Sequence, residues 1–225
     1  MKLLSVNVGL PREVSWKGKR VTTGIFKEPV AGRVRLSVLN LDGDRQADLT
    51  VHGGRDKAVY AYPSEHYEYW RNELPDMNLP PGSFGENFTV EGLFENEVNI
   101  GDRFKIGSSA VMVTQPRMPC YKLGIKFGRD DIIKRFLASG RSGFYFAVIE
   151  EGEVGAGDPV EIISRDSGNV TVADIVRLYV NEKSDIEMLK RAVEVKALPE
   201  GWREYFRRHI EKQSSPEEEA AYEKL

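Results

Sequence analysis

Short apolar runs, broken at close intervals by turn residues, fill the first 165 positions, and that rhythm points to a closed or partly closed β architecture. Strand-like segments fall at residues 2–8, 21–25, 34–39, 59–62, 87–90, 143–149 and 159–163. Residues 102–106 and 110–114 form an expected hairpin across Gly107-Ser108-Ser109. Turn signals stand at Gly9-Leu10-Pro11-Arg12, Gly18-Lys19-Arg20, Gly32, Asp42-Gly43-Asp44 and His52-Gly53-Gly54. Helical patterns interrupt twice. One follows Pro63-Ser64 and runs to Glu73; the other covers Asp130–Leu137 and stops before Gly140. Near Ser164–Asn169 the alternation ends. Beyond it Val172, Ile175, Val176 and Tyr179, then Ile186, Leu189 and Val193, then Trp202, Tyr205, Phe206 and Ile210 recur at helical spacing. The expectation is a mainly β fold with helices (α+β): a β-barrel domain over 1–165, a three-helix domain over 170–212 and a tail over 213–225.

The chain has 225 residues, with 32 basic against 35 acidic side chains, so no global basic field argues for a nucleic-acid polymer. No apolar run approaches the roughly 20 residues of a membrane span, and the first residues lack a signal-peptide core. A cytoplasmic location is the expectation. One cysteine excludes an intrachain disulfide and an all-cysteine metal site.

That cysteine lies in Gln115-Pro116-Arg117-Met118-Pro119-Cys120-Tyr121, just past a strand end. The prolines stiffen the loop. Arg117 and Lys122 supply cations, which favour an ionised sulfur, the form that attacks and binds metals. A small buried hydrophobe is the plainer role for such a residue. His52-Gly53-Gly54-Arg55-Asp56-Lys57 combines glycines, which let backbone N–H groups approach a ligand, with cations that suit a phosphate. It also suits a polar surface turn, and it lacks Walker A spacing. Gly82-Ser83-Phe84-Gly85-Glu86-Asn87 and Gly140-Arg141-Ser142-Gly143 are similar loops; Arg141 is a candidate anion contact. No pair of histidines stands at metal-ligand spacing.

Taken in order, these motifs resemble the MOSC domain family. The stretch from Asp44 to Tyr60 looks like its first signature. Gly85-Glu86-Asn87, Gly101-Asp102, Gln115–Cys120, Gly140–Tyr145 and Val154–Asp158 look like the later ones. Ala147 departs from the pattern, at a position where many relatives carry a basic residue. The YiiM-type bacterial members also end in three helices, so the resemblance covers about residues 1–212. It implies a β-barrel similar to the C-terminal domain of molybdenum cofactor sulfurases. It also implies a molybdopterin-bound molybdenum ligated by Cys120. The activity implied is reduction of N-hydroxylated compounds (6-hydroxylaminopurine-type bases, hydroxylamines, amidoximes), with electrons from a separate flavoprotein. In that reading Gly53, Gly54, Arg55, Lys57, Arg117 and Arg141 hold the phosphate and pterin, and Gly85, Glu86 and Asn87 shape the loop beside them. His52 makes a polar contact at the reacting centre, and pyridoxal phosphate is not required. Two rivals remain open: a sulfur carrier with a persulfide on Cys120, and a non-catalytic cofactor-binding protein. The helical unit reads as a stabilising cap, with a donor-docking face or a lid as the other roles. The oligomer is a monomer or a dimer.

Overall fold

The computed structural model describes residues 1–47, 53–180 and 185–214. In chain order the elements are β1 (Lys2–Val8), β2 (Arg12–Trp16), β3 (Lys19–Thr23), β4 (Glu28–Pro29), β5 (Arg33–Leu36), a 3-10 turn (Arg55–Lys57), β6 (Val59–Pro63), α1 (His66–Glu73) and β7 (Phe88–Glu91). They continue as β8 (Arg103–Ile106), β9 (Ser109–Pro116), α2 (Tyr121–Phe127), α3 (Ile132–Ser139), β10 (Phe144–Glu150), β11 (Gly152–Gly155), β12 (Val160–Ser164), α4 (Val172–Val180), α5 (Ile186–Glu194) and α6 (Glu200–Ser214).

The main sheet has the order β12-β8-β9-β10-β6-β7-β1-β4. Its pairs are antiparallel except β6 with β7, which run parallel. The sheet does not close as one continuous ladder. It curls until the start of β1 meets the entry to β12 at the bridge Lys2–Pro159. There the N–H of Leu3 donates to Asp158 O at 2.9 Å and the N–H of Val160 to Met1 O at 3.1 Å. The barrel expected from the sequence is thus a mixed sheet whose flanks touch through one short contact.

Strand alternation sends β6 and β10 into two cores. Side chains of successive strand residues point to opposite faces. Val59 and Ala61 of β6, with Phe144 and Phe146 of β10, join Leu3, Val6, Phe104 and Val113 in the inner core. Tyr60 and Tyr62 point the other way, into an aromatic core with Trp70, Phe84, Phe127 and Phe136, under α1–α3. The inner core runs on into Ile175, Leu178, Leu189 and Phe206, so the helical unit shares one apolar interior with the sheet. Asp102 fixes that junction: its carboxylate accepts from the N–H of Asn99 (2.9 Å) and of Asp166 (2.8 Å) and from Arg165. Thr171 and Asp174 then cap α4 reciprocally, with N–H···O distances of 3.0 and 2.9 Å.

The strands at 2–8, 59–62, 87–90, 102–106 and 143–149, both barrel-side helices and the helical unit lie where the sequence places them. Several elements differ: the strands expected at 21–25 and 34–39 are Lys19–Thr23 and Arg33–Leu36, and β4 and β11 are additional. The expected turn at Gly18–Arg20 is a tighter hairpin, with Lys17 at φ 50° and Gly18 at φ 77°, so β2 occupies Arg12–Trp16. β11 is short and pairs only with β5. The loop carrying Cys120 runs directly into α2, a helix of seven residues closed by Gly128 at φ 65°. The expected tail lies outside the described residues except for its first positions in α6.

Candidate functional site

The site is built where β9 runs out. After Pro116 the N–H of Arg117 still donates to Gly143 O at 3.2 Å, holding the loop against the entry to β10. Met118 and Pro119 then carry the chain to Cys120, which is extended (φ −129°, ψ 172°) and stands at the N-cap of α2. Its carbonyl accepts from the N–H of Leu123 at 2.9 Å, and its side chain is half-buried. The turn Arg55–Lys57 is pinned beside it. Asp56 O accepts from Thr114 Oγ1 (2.6 Å) and from Gln115 Nε2 (3.3 Å), both on β9.

These segments form one wall of a cleft. Cys120, Arg117, Met118, Lys122, Lys57 and Tyr145 line that wall; Gly24, Ile25, Lys27, Gly85 and Asn87 line the other. The second wall depends on glycine: Gly85 has φ 81°, and a Cβ there would lie 2.7 Å from Ile25 Cγ1.

Arg117 is the most informative side chain. It is 5% exposed and lies over the rings of Tyr60 (5.5 Å) and Phe136 (5.1 Å), and its charge acts on the Tyr145 phenol. Its Nη1 is buried and has no hydrogen-bond partner among the described residues. A guanidinium stays charged, and a buried donor without an acceptor costs about 1–3 kcal/mol. An arginine held this way at a cleft is prepared for an anion that completes it. Burial pushes the Tyr145 phenol up, with Arg117 opposing, so the hydroxyl keeps its proton. Burial also pushes the Lys57 ammonium down, against the pull of Asp56.

Behind the second wall lies a buried polar frame. Lys27 is ion-paired with Asp44, whose carboxylate also accepts from Gly9 N–H and from Asn87 Nδ2, each at 2.9 Å. Burial depresses Lys27, and Asp44 counters it. Glu86 is fully buried and accepts from Tyr67 Oη, Gly82 N–H (2.6 Å), Phe84 N–H (3.0 Å) and Thr89 Oγ1 (3.0 Å). Its burial raises its carboxyl, and those donors partly offset the rise.

Of the residues singled out in the sequence, Cys120, Gly53, Lys57, Gly85, Asn87 and Arg117 come together on this cleft. Gly54 and Arg55 line an adjoining one. Glu86 lies beneath the wall and holds the loop Gly82–Thr89 rather than facing the cleft. Asn87 faces it, but its amide is committed to Asp44, Asn7 O and the N–H of Tyr60. Arg141 is not brought to the cleft: it lies on the Tyr69 ring at 3.8 Å and donates to Ser139 O. Ala147 is buried on β10 opposite Met112. His52 lies outside the described residues. Sequence reasoning missed Lys27, Tyr60 and Tyr145. Tyr145 was findable, since strand alternation turns it away from Phe144 and Phe146; nothing local to Lys27 marks it.

The MOSC domain model matches residues 48–161, and the model of the YiiM-like, 3-alpha helix domain matches residues 170–213. The chain belongs to the MOSC family. A relative from Bacillus subtilis, the uncharacterized protein YflK, is 42% identical over 91% of this chain and 92% of its own. The crystal structure of YiiM from Geobacillus stearothermophilus superposes with a TM-score of 0.78 at 35% identity, covering 93% of this chain and 98% of that one. A protein of Gibberella moniliformis named reductase is 30% identical over 86% of this chain, which spans 35% of its length. The MOSC match includes Cys120 and the cleft residues from Gly53 to Tyr145, and the helical match covers α4–α6.

Proposed function

We propose that this MOSC protein is a molybdenum cofactor-dependent reductase of N-hydroxylated compounds, with Cys120 as the thiolate ligand of the metal. The carrying observation is the pairing, in one cleft, of that thiol with the buried Nη1 of Arg117, which has no hydrogen-bond partner among the described residues. Membership of a family associated with this cofactor and likeness to a protein named reductase support the reading.

The residues fit such a group. Among the described residues no three His, Cys, Asp or Glu side chains come together, so a metal at Cys120 has to bring further ligands with it. A soft thiolate suits molybdenum carried on a pterin dithiolene. Arg117, Lys57 and Lys122 line the cleft as cations for the phosphate. Gly53 and Gly85 let backbone come close. When bound, the cofactor supplies the two-electron chemistry, refilled by a flavoprotein donor.

The reaction takes a hydroxylamine, two electrons and two protons to an amine and water: the N–O bond breaks, its electron pair leaves with oxygen, which takes one proton to become water, and nitrogen takes the two incoming electrons and the second proton. Tyr145 holds a proton at Oη beside the thiol, kept there by burial. Arg117 lines the same cleft as that phenol. The apolar part of the cleft, from Ile25, Phe84 and Met118, limits water.

The test is turnover of phenylhydroxylamine by cofactor-loaded, full-length protein with a reduced flavoprotein. The expected result is aniline at one molecule per two electrons. Loaded protein that forms no amine from any hydroxylamine or amidoxime overturns the reading. Arg117→Met should weaken cofactor retention about 10- to 100-fold, in line with about 1.5–3 kcal/mol for a hydrogen bond to a charged group. Dilution of loaded protein, followed by pterin content, measures it.

A further inference from the structure

The second cleft adjoins the first. It lies open between the turn Arg55–Lys57 and the helical unit, and shares Gly53, Lys57 and Met118 with the Cys120 cleft. Its helical wall carries three rings: Tyr179 at the end of α4, with Trp202 and Tyr205 at the start of α6. Tyr179 lies 5.4 Å from Trp202 at 71° and 5.5 Å from Tyr205. Trp202 is fixed by its indole N–H, which donates to Gln115 Oε1 at 2.9 Å; Gln115 in turn donates to Asp56 O. Strand β9, the cation-bearing turn and the ring wall are therefore one hydrogen-bonded assembly.

Trp202 and Tyr205 pack with part of their surface against the inner core, which Phe206 of α6 enters fully buried, and Tyr179 stands outside that core. Tyr179 is 39% exposed, on a cleft left open by Gly201, around which no atom lies within 4 Å of a built Cβ. Aromatic walls set at an angle, with amide and cationic groups at one end, take flat π-systems that stack on a ring and hydrogen-bond at the rim. We propose that this cleft is the subsite for the planar aromatic body of the substrate, with its N–O group directed over Met118 and Lys57 toward Cys120. This rests on the reductase reading for its last part, the direction of the N–O group, and gives the helical unit a role in substrate choice.

The probe is adenine, a flat amino-substituted ring system without an N–O bond, titrated into loaded, full-length protein and read by equilibrium dialysis. Tyr179→Ala is the main variant, because Tyr179 lies outside the inner core; Trp202→Phe keeps a ring and removes the bond to Gln115. Stacking on an aromatic side chain makes a tenfold or greater loss of adenine affinity the expected result for Tyr179→Ala, with a smaller loss for Trp202→Phe. In parallel, the ratio of kcat/KM for phenylhydroxylamine to that for N-methylhydroxylamine should fall about tenfold in Tyr179→Ala. Adenine affinity equal in wild type and Tyr179→Ala, or no adenine binding at millimolar concentration, overturns the subsite even if both hydroxylamines are reduced. Adenine binding lost in Tyr179→Ala, in a protein that reduces neither hydroxylamine, keeps the aromatic site and overturns the reductase reading instead.

Discussion

Cys120→Ala is expected to lower reductase turnover by at least about 100-fold while leaving the fold intact. Changes to groups that only orient a metal's ligands typically cost about 10–100-fold, and loss of the ligand itself costs no less. The side chain is half-buried at the N-cap of a short helix, and the backbone bond from Leu123 N–H to Cys120 O does not depend on the sulfur. Circular dichroism and melting temperature should therefore stay near wild type. The assay is aniline formation from phenylhydroxylamine by loaded protein. Turnover within a few-fold of wild type would remove Cys120 from the chemistry.

Asp44→Ala should be the most damaging substitution for stability. It strips the acceptor from Lys27, from Gly9 N–H and from Asn87 Nδ2 at once, all at a carboxylate only 2% exposed. Removing one partner of a buried ion pair costs about 3–5 kcal/mol, because the other charge is left uncompensated. For a chain of this size each kcal/mol moves the melting temperature by about 2–4 °C, so a fall of roughly 6–20 °C is expected by thermal denaturation. Lys27→Met combined with Asp44→Leu should recover only part of it, since the apolar pair removes the buried charge but still takes the acceptor from Gly9 N–H and Asn87 Nδ2. If the single variant melts with wild type, Asp44 is not the clamp that the geometry makes it. The consequence reaches the cleft, because Lys27 and Asn87 line it.

Strongly apolar strands were legible: Val59–Pro63 and Phe144–Glu150 are where the sequence puts strands, and their two-faced burial explains why they read as continuous apolar runs. The helical spacing of Val172, Ile175, Val176 and Tyr179 made the first helix of the helical unit equally plain. Helix α2 was not legible, because Pro116 and Pro119 sit just before it and Gly124 within it, which reads as loop. For the site, residues in glycine- or proline-rich motifs were found, both beside Cys120 (Arg117) and far from it (Gly53, Lys57, Gly85, Asn87), and Lys27, outside any such motif, was not. Lys27 reaches the cleft only because Asp44 and Asn87, on other segments, create a buried place for it. Arg141 shows the converse: a basic residue in a glycine-rich loop looks like an anion contact until a tyrosine ring beside it takes the guanidinium. Glu86 looked like a ligand group because it stands between Gly85 and Asn87, yet four donors turn it inward.

The most direct test of the account is the molybdenum and pterin content of full-length protein from a host that makes the cofactor, wild type beside Cys120→Ala. Near-stoichiometric molybdenum and pterin in the wild type, with molybdenum lost in the variant, is the predicted result. Wild-type protein without molybdenum, carrying instead a persulfide on Cys120 by mass spectrometry, would contradict it and make the protein a sulfur carrier.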